Sequence, residues 1–183
     1  MCPHVCPSWL SFTLTNRLRR WAQDPGRILA GFIAEGDLVL DAGCGPGFFT
    51  IPMARMVGER GLVVAVDLSP GMLDKVRRRA EKAGLAGRIK LQPAEPDRLG
   101  LGAGVFDFAL AFWMVHEVGD VDRLLGEIRT SLKPGAAFLL VEPRQHVGKK
   151  GFEAIVARAE EAGFRAASVE NVRLSRAVAF RAE

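Results

Sequence analysis

The sequence predicts an α/β fold in which a parallel sheet carries helices on both faces. Three observations predict it. Five short apolar runs recur along the chain, rich in Val, Leu, Ala and Phe. Segments with apolar residues at helical spacing lie between them. A glycine-rich turn, "DAGCGPG", follows the first run directly. Continuous apolar runs of this length suit strands buried on both faces, and strand–helix alternation is the pattern of parallel connections.

The elements follow in chain order. Within the first 35 residues, "TNRLRRWAQ" and "PGRILAGFIA" read as short helices packed outside the sheet, a helical cap (1–35) over the cleft of a single domain spanning 1–183. The strands are "LVLDAG" (38–43), "LVVAVD" (62–67), the less apolar "IKLQPA" (89–94), "FDFALAFW" (106–113) and "AAFLLVEP" (136–143). Ser69 is placed to cap a helix with Pro70 at its first position. Met72, Leu73, Val76, Ala80 and Ala83 then share one face, and Gly84 ends it. Asp120 caps the next helix, whose stripe is Val121, Leu124, Leu125, Ile128 and Leu132, stopped by "KPG". A further helix carries Phe152, Ile155, Val156 and Ala159 and ends near Gly163. The tail changes character: "FRAASVENVRL" and "SRAVAFRAE" are strand-like with no helix between them and pair as a hairpin at one sheet edge.

Composition bounds the function. The chain has 183 residues, 49% apolar and 25% charged, a globular balance large enough for a substantial core. Its longest apolar run is interrupted by Asp107 and too short to cross a bilayer, and no secretory pattern is read, so a cytoplasmic protein without membrane contact is expected. Three cysteines do not suggest a disulfide framework. A net charge of +4 permits nucleic acid as a partner without demanding it, and the basic run "KVRRRAEK" reads as a solvated helix face.

The glycine loop narrows the ligand. A tight turn after the first strand brings backbone close to a ligand, and the next helix offers free N–H groups. The order here is Asp41-x-Gly43-x-Gly45-x-Gly47, unlike the G-x-G-x-x-G of dinucleotide sites. A carboxylate before the first glycine repels a pyrophosphate and favours a cation. Asp67, ending the second strand, can accept hydrogen bonds from both hydroxyls of a ribose. Leu68 and Met72 are placed to cover an adenine face, although core packing is the alternative for Met72. Glu95, after the third strand, can receive an adenine amino group.

With these residues in place, the chain resembles the class I S-adenosylmethionine-dependent methyltransferases, in the small-molecule branch that includes ubiquinone/menaquinone-type and arsenite-type enzymes. "VLDAGCGPG" and "VVAVDLSPGML" resemble the family's first and second motifs, and "EIRTSLKPGAAFLLVEP" the segment around its fifth strand. The resemblance implies a Rossmann-like, seven-stranded, mostly parallel sheet of order 3-2-1-4-5-7-6, with strand 7 antiparallel. It implies S-adenosylmethionine as cofactor and S-adenosylhomocysteine as product. It places Gly43, Cys44, Gly45 and Gly47 against the methionine part, with Asp41 supporting the loop and the amino end. Asp67 then holds the ribose, Ala94 and Glu95 border the adenine, and Ala111 and Phe112 face the methyl-transfer centre.

Transfer from a sulfonium is an in-line displacement, and a base is needed only for an acceptor that holds a proton at working pH. His116 and His146 follow the fourth and fifth strands, where α/β sheets gather ligands, and are the candidate catalytic residues. Glu117 and Arg144 are polar neighbours, the latter suited to a substrate anion. Cys2, His4 and Cys6 form a candidate metal or metalloid group, but no metal site is assigned. Trp9, Phe12, Trp21 and Trp113 read as an apolar lid or as ordinary packing. The family's Asn/Asp-Pro-Pro-Tyr/Phe tetrapeptide is missing after the fourth strand, and by resemblance this disfavours amide and nucleobase nitrogens. The expected acceptor is a small molecule; the competing readings are an RNA or protein methyltransferase and a metal- or cofactor-binding module without turnover.

Overall fold

The computed structural model of the chain describes residues 23–96 and 98–183. Its seven strands are β1 Leu38–Ala42, β2 Leu62–Asp67, β3 Ile89–Pro93, β4 Phe106–Phe112, β5 Leu132–Pro143, β6 Phe164–Glu170 and β7 Ser175–Ala182. They form one sheet of order β3-β2-β1-β4-β5-β7-β6. β1 pairs in parallel with β2 and β4, and β2–β3 and β4–β5 are also parallel. β7 runs antiparallel to both β5 and β6. The order and the single reversed strand are those the resemblance implied.

Side chains alternate across the sheet and separate two cores. On one face Leu40, Val66, Ala109, Phe138 and Phe180 pack under helices α4 (Val121–Ser131) and α5 (Lys149–Glu161). On the other, Val39, Val63, Phe108 and Leu139 pack under α2 (Thr50–Met56), with Ala65 meeting α3 (Pro70–Lys82). Leu29 and Phe32 join this second core, and the Phe32 ring stacks on Phe108 at 5.4 Å between centroids.

Several boundaries differ from the sequence reading. "PGRILAGFIA" makes a single helical turn, α1 (Pro25–Ile28), because Gly31 at φ +82° turns the chain. The other expected N-terminal helix, the aromatic residues Trp9, Phe12 and Trp21, and the Cys2/His4/Cys6 group lie outside the described residues. β5 starts at Leu132, four residues early, and runs through Lys133-Pro134-Gly135. Its ladder to β4 is irregular there, which lets Pro134 sit where no donor is needed. Asp120 caps α4 as expected, accepting from Arg123 N at 3.0 Å. Ser69 has the cap backbone but no cap bond from its side chain. Ala83 is the exposed C-cap of α3, and Leu85 beyond it is buried instead.

Phe108 is fully buried at the centre of the sheet. Phe108→Ala is expected to lower the unfolding free energy by about 3–5 kcal/mol, read from urea titration followed by circular dichroism.

Candidate functional site

Parallel strands bring the carboxyl ends of β1, β2 and β4 to one rim, and a cavity of about 940 Å³ opens there. One end is acidic and made of backbone; the other is aromatic and carries the histidines.

The acidic end is built around the loop after β1. Gly43, Gly45 and Gly47 all have positive φ, of +68°, +52° and +84°. A Cβ on Gly43 would lie 2.8 Å from Met114, whereas the space before Gly45 is open. Asp67 fixes this loop: its Oδ2 accepts Gly45 N–H at 2.8 Å and its Oδ1 accepts Ser69 N–H at 2.8 Å. The Asp67 bond holds Ser69 at the start of α3, while the Ser69 side chain makes no cap bond. Each carboxylate oxygen keeps a further lone pair for a ligand hydroxyl. Arg79 of α3 ties the loop from behind through Pro46 O at 2.7 Å.

Asp41 lies beneath the loop, 2% exposed, and its Oδ2 accepts the Thr50 hydroxyl at 2.5 Å. Burial pushes its carboxyl up to about 7, opposed by the Thr50 bond and assisted by the charge of Asp67. Burial also raises Asp67, against its two backbone hydrogen bonds. The Cys44 thiol is driven well above its ordinary range by burial and by both aspartates, so it stays neutral. Beyond the loop the cavity wall continues through Leu68, which is 42% exposed, and the buried Met72. Ala94 and Glu95 follow, held to β2 by Ala94 N–H on Asp67 O at 3.0 Å.

At the other end, Phe112 packs against Phe49, with ring centroids 4.3 Å apart. Trp113 and Leu174 line the same wall. Both have left-handed backbones, φ +59° and +63°, unusual for bulky residues. Trp113 is pinned by its N–H on Val141 O at 2.8 Å and its indole N–H on Ser175 Oγ at 2.9 Å. The described start of the chain is tied in beside them: Gln23 Nε2 donates to Arg173 O at 3.3 Å and Ser175 Oγ at 3.4 Å.

His116 and His146 meet at this wall, His116 Nε2 lying 3.3 Å from His146 Nδ1. Behind them is a residue the sequence reading did not single out. Glu142, fully buried, accepts Val115 N–H at 3.0 Å and bonds His116 Nδ1. That bond raises the His116 imidazole above its ordinary value; burial opposes it, and the charges of Glu142 and Glu117 add to it. The signal that was present is a lone acid inside an apolar strand, which burial obliges to find a partner.

Two expected site residues are not on the cavity wall. Gly47 packs on α3, where a Cβ would come within 3.2 Å of Val76, and Ala111 points into the core beneath α4. Arg144 also turns away, donating Nε–H to Ser175 O at 2.8 Å and its backbone N–H to Leu174 O at 3.0 Å. Among the described residues no cluster of His, Cys, Asp or Glu has the make-up of a metal site, and no helix is long and apolar enough to cross a membrane. The arrangement suits a polar cation with hydroxyl groups at one end and an apolar molecule at the other.

Asp41 gives a stability signature. Its folded pKa of about 7 lies above the ordinary 3.8, so this contribution is fully present below pH 3.8 and is lost as pH rises through 7. Asp41→Asn is therefore expected to melt above the native protein at pH 8, by on the order of 4 kcal/mol at most. The gap should shrink toward pH 4 in calorimetric scans.

Comparison with known proteins agrees with this geometry. The pattern of a family described as a methyltransferase domain matches residues 39–135. Demethylmenaquinone methyltransferase of Symbiobacterium thermophilum is 36% identical over 107 residues, 58% of this chain and 43% of that protein. The ubiquinone/menaquinone biosynthesis C-methyltransferase UbiE of Haemophilus ducreyi is 32% identical over 110 residues, 60% and 42% of the respective lengths. The matched regions thus span less than half of these curated relatives. A solved structure of a SAM dependent methyltransferase from Aquifex aeolicus superposes with a TM-score of 0.89 at 25% identity, covering 98% of this chain and 100% of that one. The family pattern takes in the glycine loop, the end of β2 and the whole of β4, more than half of the sequence, and the chain belongs to the methyltransferase-domain family.

Proposed function

We propose that the protein transfers a methyl group from S-adenosylmethionine to a small, largely apolar acceptor, leaving S-adenosylhomocysteine. The observation that carries this reading is the pair of carboxylates, Asp41 and Asp67, flanking a glycine turn whose open side faces the cavity. The names of the relatives, which concern quinone biosynthesis, support an acceptor with an apolar ring, and the wall of Phe49, Phe112, Trp113 and Leu174 suits one. The compartment we propose is the cytoplasm, in keeping with the free thiol of Cys44. The bond of Gln23 to Ser175, next to the wall residue Leu174, supports a role for the preceding residues as a cover.

When bound, the cofactor supplies an activated methyl on a cationic sulfur. The residues of this chain bind and orient. Asp67 offers its spare lone pairs to the ribose hydroxyls while its other lone pairs hold the loop. Leu68 and Met72 flank the adenine, with Ala94 and Glu95 at its edge. Gly43, Cys44 and Gly45 present backbone to the methionine part, over Asp41. Phe49 and Phe112 exclude water from the transfer path. His116 and His146 line the acceptor end as the candidate source of a base.

Three measurements test this. A labelled-methyl screen against thiols, phenols, quinols, arsenite and bulk RNA should place label in a small molecule; label confined to RNA would refute the acceptor class. Asp67→Asn should weaken S-adenosylmethionine binding by about 1–3 kcal/mol in calorimetry, through loss of charged hydrogen bonds. Unchanged affinity would remove Asp67 from the site. A cation above Asp41 favours its ionised form, so the affinity should rise with pH up to about 7 and then level off, with proton uptake by the buffer near pH 6. Asp41→Asn should flatten that profile.

A further inference from the structure

We propose that Glu142, His116 and His146 form a directed proton relay that removes a proton from the methyl acceptor, with Glu142 the positioning residue that sets its direction. This rests on the methyl-transfer reading of the cavity and adds to it the path taken by the proton.

The direction follows from hydrogen-bond bookkeeping. Glu142 has no exposed side-chain surface, and its carboxylate accepts from Val115 N–H and from His116 Nδ1. An ionised carboxylate only accepts, so His116 carries a proton on Nδ1 in both of its charge states. Neutral His116 then has a bare Nε2, which faces His146 Nδ1 at 3.3 Å. A bare nitrogen requires a donor opposite, so His146 carries its proton on Nδ1 and presents a bare Nε2. His146 is exposed and lines the cavity, which makes that Nε2 the contact for an acceptor. His146 is then the catalytic base, and His116 and Glu142 act through it.

The step balances. The acceptor X–H gives its proton to His146 Nε2, His146 passes its Nδ1 proton to His116 Nε2, and the X–H electron pair forms the new X–CH₃ bond. The S–CH₃ bond breaks with its electrons going to sulfur. The positive charge that leaves the sulfonium ends on the His116 imidazolium. The charged groups around that imidazolium are Glu142 on Nδ1 and Glu117, whose Oε1 is 4.0 Å from Nε2; the charge of Asp67 acts in turn on Glu117. His146 is a further titratable neighbour, and its charge acts on Glu117. This setting stabilises the charge at the inner ring. After product release the proton returns through His146 to solvent. The acceptor is therefore a molecule that sheds a proton as it is methylated.

A purely structural Glu142, anchoring the turn at Val115–Glu117, would be replaced without loss by Gln, whose amide oxygen still takes Val115 N–H. The Gln NH₂ would face His116 Nδ1 and force that nitrogen to accept, which inverts the ring's tautomer and breaks the relay. The test is an NMR pH titration of ¹⁵N-histidine-labelled full-length protein, with and without S-adenosylhomocysteine, resonances being assigned with His4→Ala and His146→Ala. In the native protein His116 should be neutral as the Nδ1–H form and titrate above the ordinary range. In Glu142→Gln its midpoint should fall by about one pH unit and the tautomer should invert, with S-adenosylhomocysteine affinity unchanged within about twofold. With an acceptor recovered by the label screen, kcat at pH 8 should drop about 10²-fold while KM for S-adenosylmethionine holds. A native Nε2–H tautomer, or a midpoint unmoved in Glu142→Gln, overturns the relay. So does a titration pattern abolished by EDTA, which would assign the imidazoles to a metal. The native tautomer decides the matter even if Glu142→Gln does not fold. Failure of S-adenosylhomocysteine to bind would overturn the methyl-transfer reading alone, since the ligand-free titration still decides the relay.

Discussion

One carboxylate holds the two halves of the nucleoside end together. Asp67 grips Gly45 N–H with one oxygen and Ser69 N–H with the other, joining the loop after β1 to the start of α3. Neither loop has regular structure of its own at that point. The bond pair sets the glycine turn open toward the cavity, and Asp41 and Cys44 sit buried behind it. Burial beneath this turn is what raises Asp41. A site that holds a neutral acid in readiness for a cation gives up some stability when empty and recovers it on binding.

The aromatic end obeys a different constraint. Trp113 and Leu174 adopt left-handed backbones that cost about 1–3 kcal/mol each. Ser175 links them, because its hydroxyl accepts the Trp113 indole and its neighbour is Leu174. Wall and histidines thus hang mainly from the ends of β4 and β5 and from the β6–β7 connection, with Phe49 added from the start of α2, while the nucleoside end hangs from β1, β2 and β3. The two ends share the rim but few elements, so acceptor chemistry and cofactor binding are separable on this sheet.

Much of the fold was legible because strands and caps are local. The runs at 38–43, 62–67 and 106–113 are apolar on both faces and became β1, β2 and β4 nearly to the residue. Asp120 caps its helix because its bond partner, Arg123 N–H, is three residues away. The position of β7 between β5 and β6 has no local signal and came from family resemblance. The glycine turn is legible from its spacing, but that Gly47 packs on α3 and Ala111 faces the core is not, since both depend on how helix and sheet come together. Glu142 escaped notice because its partners, Val115 and His116, lie 27 and 26 positions away. Leu174 looked like an ordinary strand end; its backbone is imposed by Arg144 and Ser175.

The reversed strand also shapes how the chain is made. β7 is translated last of the seven and pairs along its length with both β5 and β6. Until residues 175–182 have left the ribosome, β5 offers water an open edge carrying Phe138, Leu139, Leu140 and Val141, and β6 has no partner at all. The half-sheet β3-β2-β1-β4-β5 can form during synthesis, but its exposed border is then a template for pairing with another nascent chain. Docking of β7 pairs that border, and it delivers Ser175 to Trp113 in the same movement, so the acceptor wall is completed only when β5 has gained its second neighbour.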